Sequence, residues 1–401
     1  MKFYNNNYYY VILGALFDPQ QSLADQEYSE GYSWRDYFMY DALASMSQIK
    51  MLNDQAEAAG FTLSEEEQAE YEEAVANLEH SWEELGYSSL KQYINLNYGK
   101  GVDEEMVKNE MYRLYVADAY AQSVSDSFEF STEEMDERYA EQADELDVID
   151  YMYYLVSDDT VDAQAMAEAL NGTDGETFID ALAENVEGAL PTAQSLAGNS
   201  ISTIYADWLL DADRVSGDTT AIESDGSTYV VMFIDRNDNS YPLVSFRHIL
   251  IGAEDADGDG AYSLEEIEAA EAEANDLYDQ WLAGDATEDS FAQMANEYSI
   301  DTGSNTTGGL YENVFQGQMV TPINEWLFEE GRQAGDTTVV SYDGSYTGTH
   351  IVYFAGTADL TYAQAQAESQ LRSEAYDAWQ EENLASYEAV TSHLGMAAKN
   401  H

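Results

Sequence analysis

Two stretches of the chain agree without a gap: WLLDADRVSGDTT at Trp208–Thr220 and WLFEEGRQAGDTT at Trp326–Thr338. Trp, Leu, Arg, Gly, Asp, Thr and Thr coincide. An Asp-Gly turn follows each at the same offset, Asp225-Gly226 and Asp343-Gly344, and then a closing apolar run, TYVVMF or THIVYF. Upstream, YMYYLV (Tyr151–Val156) answers FRHILI (Phe246–Ile251). A recurrence of this kind means two copies of one supersecondary unit, so the chain holds related α/β units over about 147–238 and 243–357.

The flanks read differently. Residues 1–32 are Asn/Tyr-rich and irregular, and 33–146 carry apolar residues at three- and four-residue spacing, which predicts a helical domain. Gly60 is placed to end one helix, and Ser64 with Glu67 has the capping-box pattern for the next. The tail, 359–398, is helical again, and its apolar stripe needs a partner. The N-terminal helices are the natural one, giving an α+β chain with a helical domain assembled from both ends.

Charge narrows the partners. There are 79 Asp+Glu against 14 Lys+Arg, a formal net of −65. Such a surface repels nucleic acid and anionic lipid, so neither is expected as a partner. At 45% hydrophobic residues the chain still has material for proper cores. The absence of cysteine excludes disulfides and thiolate chemistry and suits an exported protein. The apolar run Tyr8–Phe17 is shorter than the roughly 20 residues a spanning helix needs and lacks a signal peptide's basic flank. Any membrane attachment is expected only through an anchor outside this stretch. GxxxxGK[ST] is absent, so neither ATP nor another organic cofactor is expected.

FRHILI is followed by DSFAQMANEYSID (Asp289–Asp301), GGL (Gly308–Leu310), GQMVTPINEWLF (Gly317–Phe328) and GTHIVYF (Gly348–Phe354). In this order of motifs the second unit resembles the parvulin-type peptidyl-prolyl isomerases. The flanking arrangement is similar to exported foldases of the SurA and PrsA kind. The resemblance implies catalysis of X–Pro rotation, whose barrier is about 18–20 kcal/mol because rotation breaks amide resonance. A pocket that holds the proline ring away from water lowers that barrier with no covalent step. It implies that His248 and His350 face each other at the pocket floor, with Asp301 beside the amide carbonyl. Leu310, Met319, Ile323 and Phe328 fall where the family has the apolar wall for the proline ring. Ile323 stands where an aromatic ring is usual, and Tyr311 where glycine is common.

The first unit departs further. Its alignment sets Tyr153 against His248 and Tyr229 against His350, so it is expected to be a degenerate, inactive parvulin-like domain.

Between FRHILI and the next helix lies DADGDGAYSLEE, Asp255–Glu266. The spacing matches an EF-hand loop, which takes oxygen ligands at positions 1, 3, 5, 7, 9 and 12 with glycine at 6. These fall on Asp255, Asp257, Asp259, the Ala261 carbonyl, Ser263 and Glu266, with Gly260 at the turn. A single structural calcium ion is therefore expected, bound in a loop that has replaced a strand-to-helix connection.

The leading expectation is an extracytoplasmic foldase, secreted or held at the outer face of a membrane, that isomerises X–Pro bonds in unfolded, proline-containing polypeptides. A catalytically silent holdase and a calcium-stabilised binding scaffold stay open.

Overall fold

The computed structural model describes residues 16–18, 21–156, 162–185, 190–256, 258 and 260–387. Asp257, Asp259, the end of the tail and most of the Tyr8–Phe17 run lie outside the described residues. The chain is a mixed α+β protein of two compact units, residues 1–130 with 370–401 and residues 131–369.

The helical unit opens with a short hairpin, β1 (Glu27–Ser29) and β2 (Tyr32–Ser33), followed by α1 (Trp34–Ala59), α2 (Glu65–Glu84), α3 (Leu90–Asn97) and α4 (Glu104–Asp126). Local chemistry sets the boundaries. Ser33 and Asp36 form a capping box before α1, and Gly60 ends that helix at φ 67°, a left-handed conformation that glycine adopts without steric cost. Ser64 and Glu67 form the capping box of α2.

The other unit begins with α5 (Thr132–Glu141) and α6 (Ala143–Leu146), so these two helices do not group with α1–α4, unlike the single helical stretch 33–146 read from periodicity. The reason is side-chain chemistry that periodicity does not record. The Tyr139 hydroxyl on α5 donates to buried Asp147, 3.0 Å, and Asn239 Nδ2 donates to the Tyr139 oxygen, 2.8 Å.

Two four-stranded antiparallel sheets follow. The first repeat comprises β3 (Val148–Val156), α7 (Ala163–Leu170), α8 (Gly175–Asn185), β4 (Thr192–Ala197), α9 (Ala206–Leu209), β5 (Thr219–Ser224) and β6 (Ser227–Asn237). The second comprises β7 (Pro242–Gly252), α10 (Leu264–Ala283), α11 (Glu288–Tyr298), β8 (Leu310–Val314), α12 (Thr321–Leu327), β9 (Thr337–Asp343) and β10 (Thr347–Thr361). The strand orders are β4-β3-β6-β5 and β8-β7-β10-β9, the same topology twice.

The repeated sequence motif is a structural staple. Arg214 lies over the Trp208 ring and Arg332 over the Trp326 ring, at 5.0 and 4.0 Å from the ring centres, and each arginine pairs with the motif aspartate, Asp218 or Asp336. The Gly-Asp step of each motif then bonds to the closing strand. Gly217 N–H donates to the Phe233 carbonyl and Gly335 N–H to the Phe354 carbonyl, both at 2.9 Å. Both glycines have positive φ, 89° and 95°, which is why the motif keeps glycine there.

Each sheet buries both faces. In the second repeat Ile249, Ile251 and Ile351 pack under Ala270, Ala274, Leu277, Trp281 and Phe291 of α10 and α11. The opposite face carries Val244, Phe246, Val352 and Phe354 against Ile323 and Leu327 of α12. The last helix, α13 (Tyr362–Leu384), starts in this unit, and from Gln370 its residues belong to the helical unit. There Trp379 and Leu384 pack on Met51, Leu52 and Ala117, and Gln55 Nε2 donates to Asn383 Oδ1 at 3.0 Å.

Candidate active site

Strand register places the two histidines together. His248 on β7 lies opposite Val352 on β10, and His350 is two residues from Val352, so both rings project from the α12 face of the sheet. Their Nδ1 atoms are 3.0 Å apart. The ring planes are 11° apart with centres at 5.2 Å, so the rings meet edge to edge, as a direct nitrogen-to-nitrogen hydrogen bond requires. Both are buried, 3% and 1% exposed.

The chain of contacts continues outward at both ends. His248 Nε2 lies 2.8 Å from Asp301 Oδ2, and His350 Nε2 lies 2.9 Å from the Tyr346 hydroxyl. Asp301 Oδ2 also accepts from Ser304 Oγ at 2.5 Å and from the Tyr311 hydroxyl at 3.0 Å, while Oδ1 accepts from Gly303 N–H at 3.2 Å. Burial pushes the Asp301 carboxyl up, but the Ser304, His248 and Tyr311 hydrogen bonds outweigh it and hold the pKa at about 2. Asp301 is thus an anion that can only accept.

That fixes the proton order. Desolvation lowers the pKa of His248 despite Asp301, and desolvation with the neighbouring His248 lowers that of His350 to about 3, so both imidazoles are neutral at pH 7. A neutral imidazole has one donor and one acceptor nitrogen. His248 must donate from Nε2 to Asp301, so its Nδ1 accepts from His350 Nδ1–H, and His350 Nε2 accepts from Tyr346. The order Tyr346 → His350 → His248 → Asp301 satisfies every contact.

The GGL motif has a steric role here. Gly309, at φ +69°, accepts at its carbonyl from His248 N–H at 2.9 Å, and a Cβ on it would meet the His248 carbonyl oxygen at 2.2 Å. A Cβ on Gly308 would meet Ala292 at 2.6 Å and Arg247 at 2.8 Å. Arg247 Nη1 holds the same loop by donating to the Thr307 and Gly308 carbonyls, 3.0 Å each. Only glycine lets this loop close on the histidine strand.

The apolar residues divide. Met319, Phe328 and Tyr311 are partly buried against the α12-face core, and Leu310 is half-buried on β8. Ile323 is wholly buried inside that core and offers no surface to a ligand. It backs the wall; it is not part of its face. Sequence reasoning missed Ser304 and Tyr346 and noted Tyr311 only as a departure. The hydroxyl-rich run DTGSNTT after Asp301 was the signal for Ser304, and Tyr346, four residues before His350, has the parity of the same face.

In the first repeat Tyr153 lies opposite Val231, and Tyr229 is two residues from it, the register of His248 and His350. Tyr205 packs on both, its ring 5.5 Å from Tyr153 and 6.1 Å from Tyr229, which are themselves 6.3 Å apart, and the Tyr151 hydroxyl bonds to it.

At the acidic loop, Asp255 Oδ1 accepts from Gly258 N–H at 2.6 Å and Oδ2 from Gly260 N–H at 2.9 Å. Glu266 Oε1 accepts from Ala256 N–H at 2.7 Å, while its Oε2 accepts from Ser263 in the capping box of α10. The two ends of the loop are drawn together with an all-oxygen donor set, which fits a hard cation such as calcium. Among the described residues no group of three or more His, Asp or Glu side chains is close enough to hold a metal.

Residues 230–357, from within β6 to β10, match the family model of the PPIC-type PPIASE domain. The second repeat is a parvulin-type domain. Among curated proteins nothing matches the chain. PrsA from Bacillus subtilis is similar over 91% of this chain and 94% of its own, at 12% identity and TM-score 0.36. The foldase PrsA of Streptococcus pneumoniae covers 94% and is itself covered to 98%, at 10% identity and TM-score 0.29. A SurA-like chaperone of Campylobacter jejuni covers 75% and 78%, at 13% and 0.22. These three likenesses are too weak to carry anything further.

Proposed function

We propose that the chain is an extracytoplasmic foldase whose parvulin domain accelerates cis–trans rotation of X–Pro bonds in unfolded polypeptides. The observation that carries this reading is the buried His248–His350 pair, held neutral and bonded to an ionised Asp301, inside a parvulin-type domain. Met319, Phe328 and Leu310 would receive the proline ring. Next to them Asp301, Tyr311 and Ser304 supply hydrogen bonds that can rearrange as the carbonyl turns. No proton is transferred and no covalent intermediate forms. The fixed proton order of the floor holds Asp301 in place and keeps its charge satisfied when the proline excludes water.

The helical unit would hold extended clients. Tyr40, Met46, Leu96 and Met106 are exposed large apolar side chains on its helices, each available to an apolar segment of unstructured chain. A cysteine-free chain fits an oxidising compartment outside the cytoplasm. Calcium in the Asp255–Glu266 loop, with Asp257, Asp259, the Ala261 carbonyl and Ser263, would supply charge neutralisation at the start of α10, a structural and not a catalytic role.

The test is X–Pro peptide isomerisation by the full chain with His248→Ala as control. Uncatalysed rotation takes tens to hundreds of seconds, which leaves a wide window. Equal rates with and without protein would end the isomerase reading. A silent holdase is the second reading, favoured by the full burial of Ile323 where the family uses an aromatic ring. It predicts suppression of client aggregation without acceleration.

A further inference from the structure

The connection between the two repeats, residues 238–241, ends in Tyr241, and its contacts point at the proline wall. The Tyr241 ring stands edge-on to Phe328, 5.6 Å between centres at 81°, and lies 5.9 Å from Tyr362 at the start of α13. Its hydroxyl oxygen accepts from Gln316 N–H at 3.1 Å. Phe315 lies flat on Tyr362, 4.5 Å between centres and 4° between planes. Asn237 Nδ2, at the end of β6, donates to Gln316 Oε1 at 3.0 Å. Tyr362 N–H donates to the Tyr241 carbonyl at 3.0 Å and Ala363 N–H to the Asn239 carbonyl at 2.9 Å, which fixes the linker to the helix start.

Two segments of the wall therefore rest on residues outside the domain's sheet. The loop Phe315–Gln318 leads directly into Met319, and Phe328 closes α12. Tyr241, from the linker that precedes the domain, holds both, and Tyr362, from the helix that follows it, holds the loop through Phe315 and backs Tyr241. We propose that Tyr241 and Tyr362 are positioning residues that set the separation of Met319 and Phe328, and so the affinity of the wall for a proline-containing segment. This rests on the assignment of that wall as the proline site. It touches neither histidine nor Asp301, so it acts on binding and leaves the floor unchanged.

The experiment measures isomerisation of an X–Pro tetrapeptide by the full chain against peptide concentration, together with direct binding of the same peptide by NMR titration. Tyr241→Phe removes only the acceptor for Gln316 and is expected to raise KM and Kd about fivefold, the worth of one hydrogen bond. Tyr241→Ala, which also removes the edge contact to Phe328, is expected to raise them about tenfold or more. In both, kcat, the pH profile and the His248 and His350 ring signals stay as in the parent. Tyr362→Phe keeps the stack on Phe315 and is expected to match the parent, whereas Tyr362→Ala is expected to resemble Tyr241→Ala. Unchanged KM and Kd in both Tyr241 variants, or a fall in kcat at constant KM, would overturn the proposal. If the parent binds peptide but does not accelerate rotation, the isomerase reading fails while the Kd series still decides the role of Tyr241. A parent that binds no proline peptide overturns both.

Discussion

The two repeats share strand order, register and the Trp-Arg-Gly-Asp staple, yet the floors of their sheets are chemically opposite. Where the second has two neutral imidazoles wired to an anion, the first has Tyr153 and Tyr229 with Tyr205 packed on both. Tyr205 occupies the position of Ile323, three residues before the motif tryptophan in each copy. A long aromatic there fills the space above the floor; a short isoleucine leaves it to the histidine chain. The fold is carried by the staple and the alternating core residues. The chemistry rests on a few positions that the fold leaves free.

The largest consequence concerns catalysis. His248→Ala breaks the chain in its middle and strands His350 Nδ1–H and part of Asp301's donor set. Isomerisation is expected to fall by at least about tenfold, each 1.4 kcal/mol of lost transition-state stabilisation being one factor of ten. Tyr153→Ala, the matching change in the first repeat, should leave the rate as it was. A comparable loss from Tyr153→Ala would mean the first repeat takes part in turnover.

Calcium should separate the repeats by stability. The connection after β3 carries no EF-hand spacing, whereas the one after β7 does. A ligand bound only by the folded form adds about 2.7 kcal/mol at a hundredfold excess over Kd. Calorimetry with millimolar calcium should show the melting of the second repeat rise and the first stay put, with chelator reversing the shift. Glu266→Gln should remove most of it, and no heat of calcium binding to the full chain would exclude the site.

Acid should separate them in the same direction. The folded pKa of both histidines is depressed below the ordinary value of about 6.5, so the unfolded chain takes up protons that the folded chain refuses. Stability of the second repeat is therefore lost as pH drops below about 6.5. Asp301, held at about 2 against an ordinary value near 3.9, adds a loss below about pH 4. Burial keeps Tyr151 and Tyr205 neutral throughout, so the first floor loses no stability in this way. Followed by NMR, acid should melt the second repeat first. Nitrogen shifts at neutral pH should show His248 protonated on Nε2 and His350 on Nδ1, and the opposite pair of tautomers would reverse the proton order derived above.

How much of this was legible from residues alone differs by feature. The repeated motif was legible because its residues are close in sequence and its spacing is fixed, whereas the stacking of its arginine on its tryptophan shows only in the fold. The histidine pair was legible only through the family resemblance that the motifs FRHILI and GTHIVYF carry. Ser304, Tyr311 and Tyr346 were not: Ser304 reaches the floor from the loop that Gly308 and Gly309 close onto β7, Tyr311 from the edge strand β8, and Tyr346 from the turn between β9 and β10. The grouping of α5 and α6 was hidden for a related reason. It depends on Tyr139 meeting Asp147 and Asn239, a contact between a helix, a strand start and a linker that no periodicity encodes. Ile323 has the composition of a pocket residue and of a core residue alike, and packing alone decides.

The smallest expected effect tests whether the first floor is merely inert. Tyr151 is fully buried, and its hydroxyl is donated to Tyr205, which also accepts from Ser202. Tyr151→Phe removes one donor while keeping the ring, so its cost should be that of one net hydrogen bond, about 1 kcal/mol. That loss should appear in the melting of the first repeat and nowhere in the isomerisation rate or in KM. The tyrosine cluster would then be packing, held together by its own hydroxyls, occupying the site where the other repeat keeps its histidines. A change in KM for proline peptides with an unchanged melting temperature would instead make the tyrosine floor a contact surface for client chain, and the two repeats would be a binding module and a turning module of one fold.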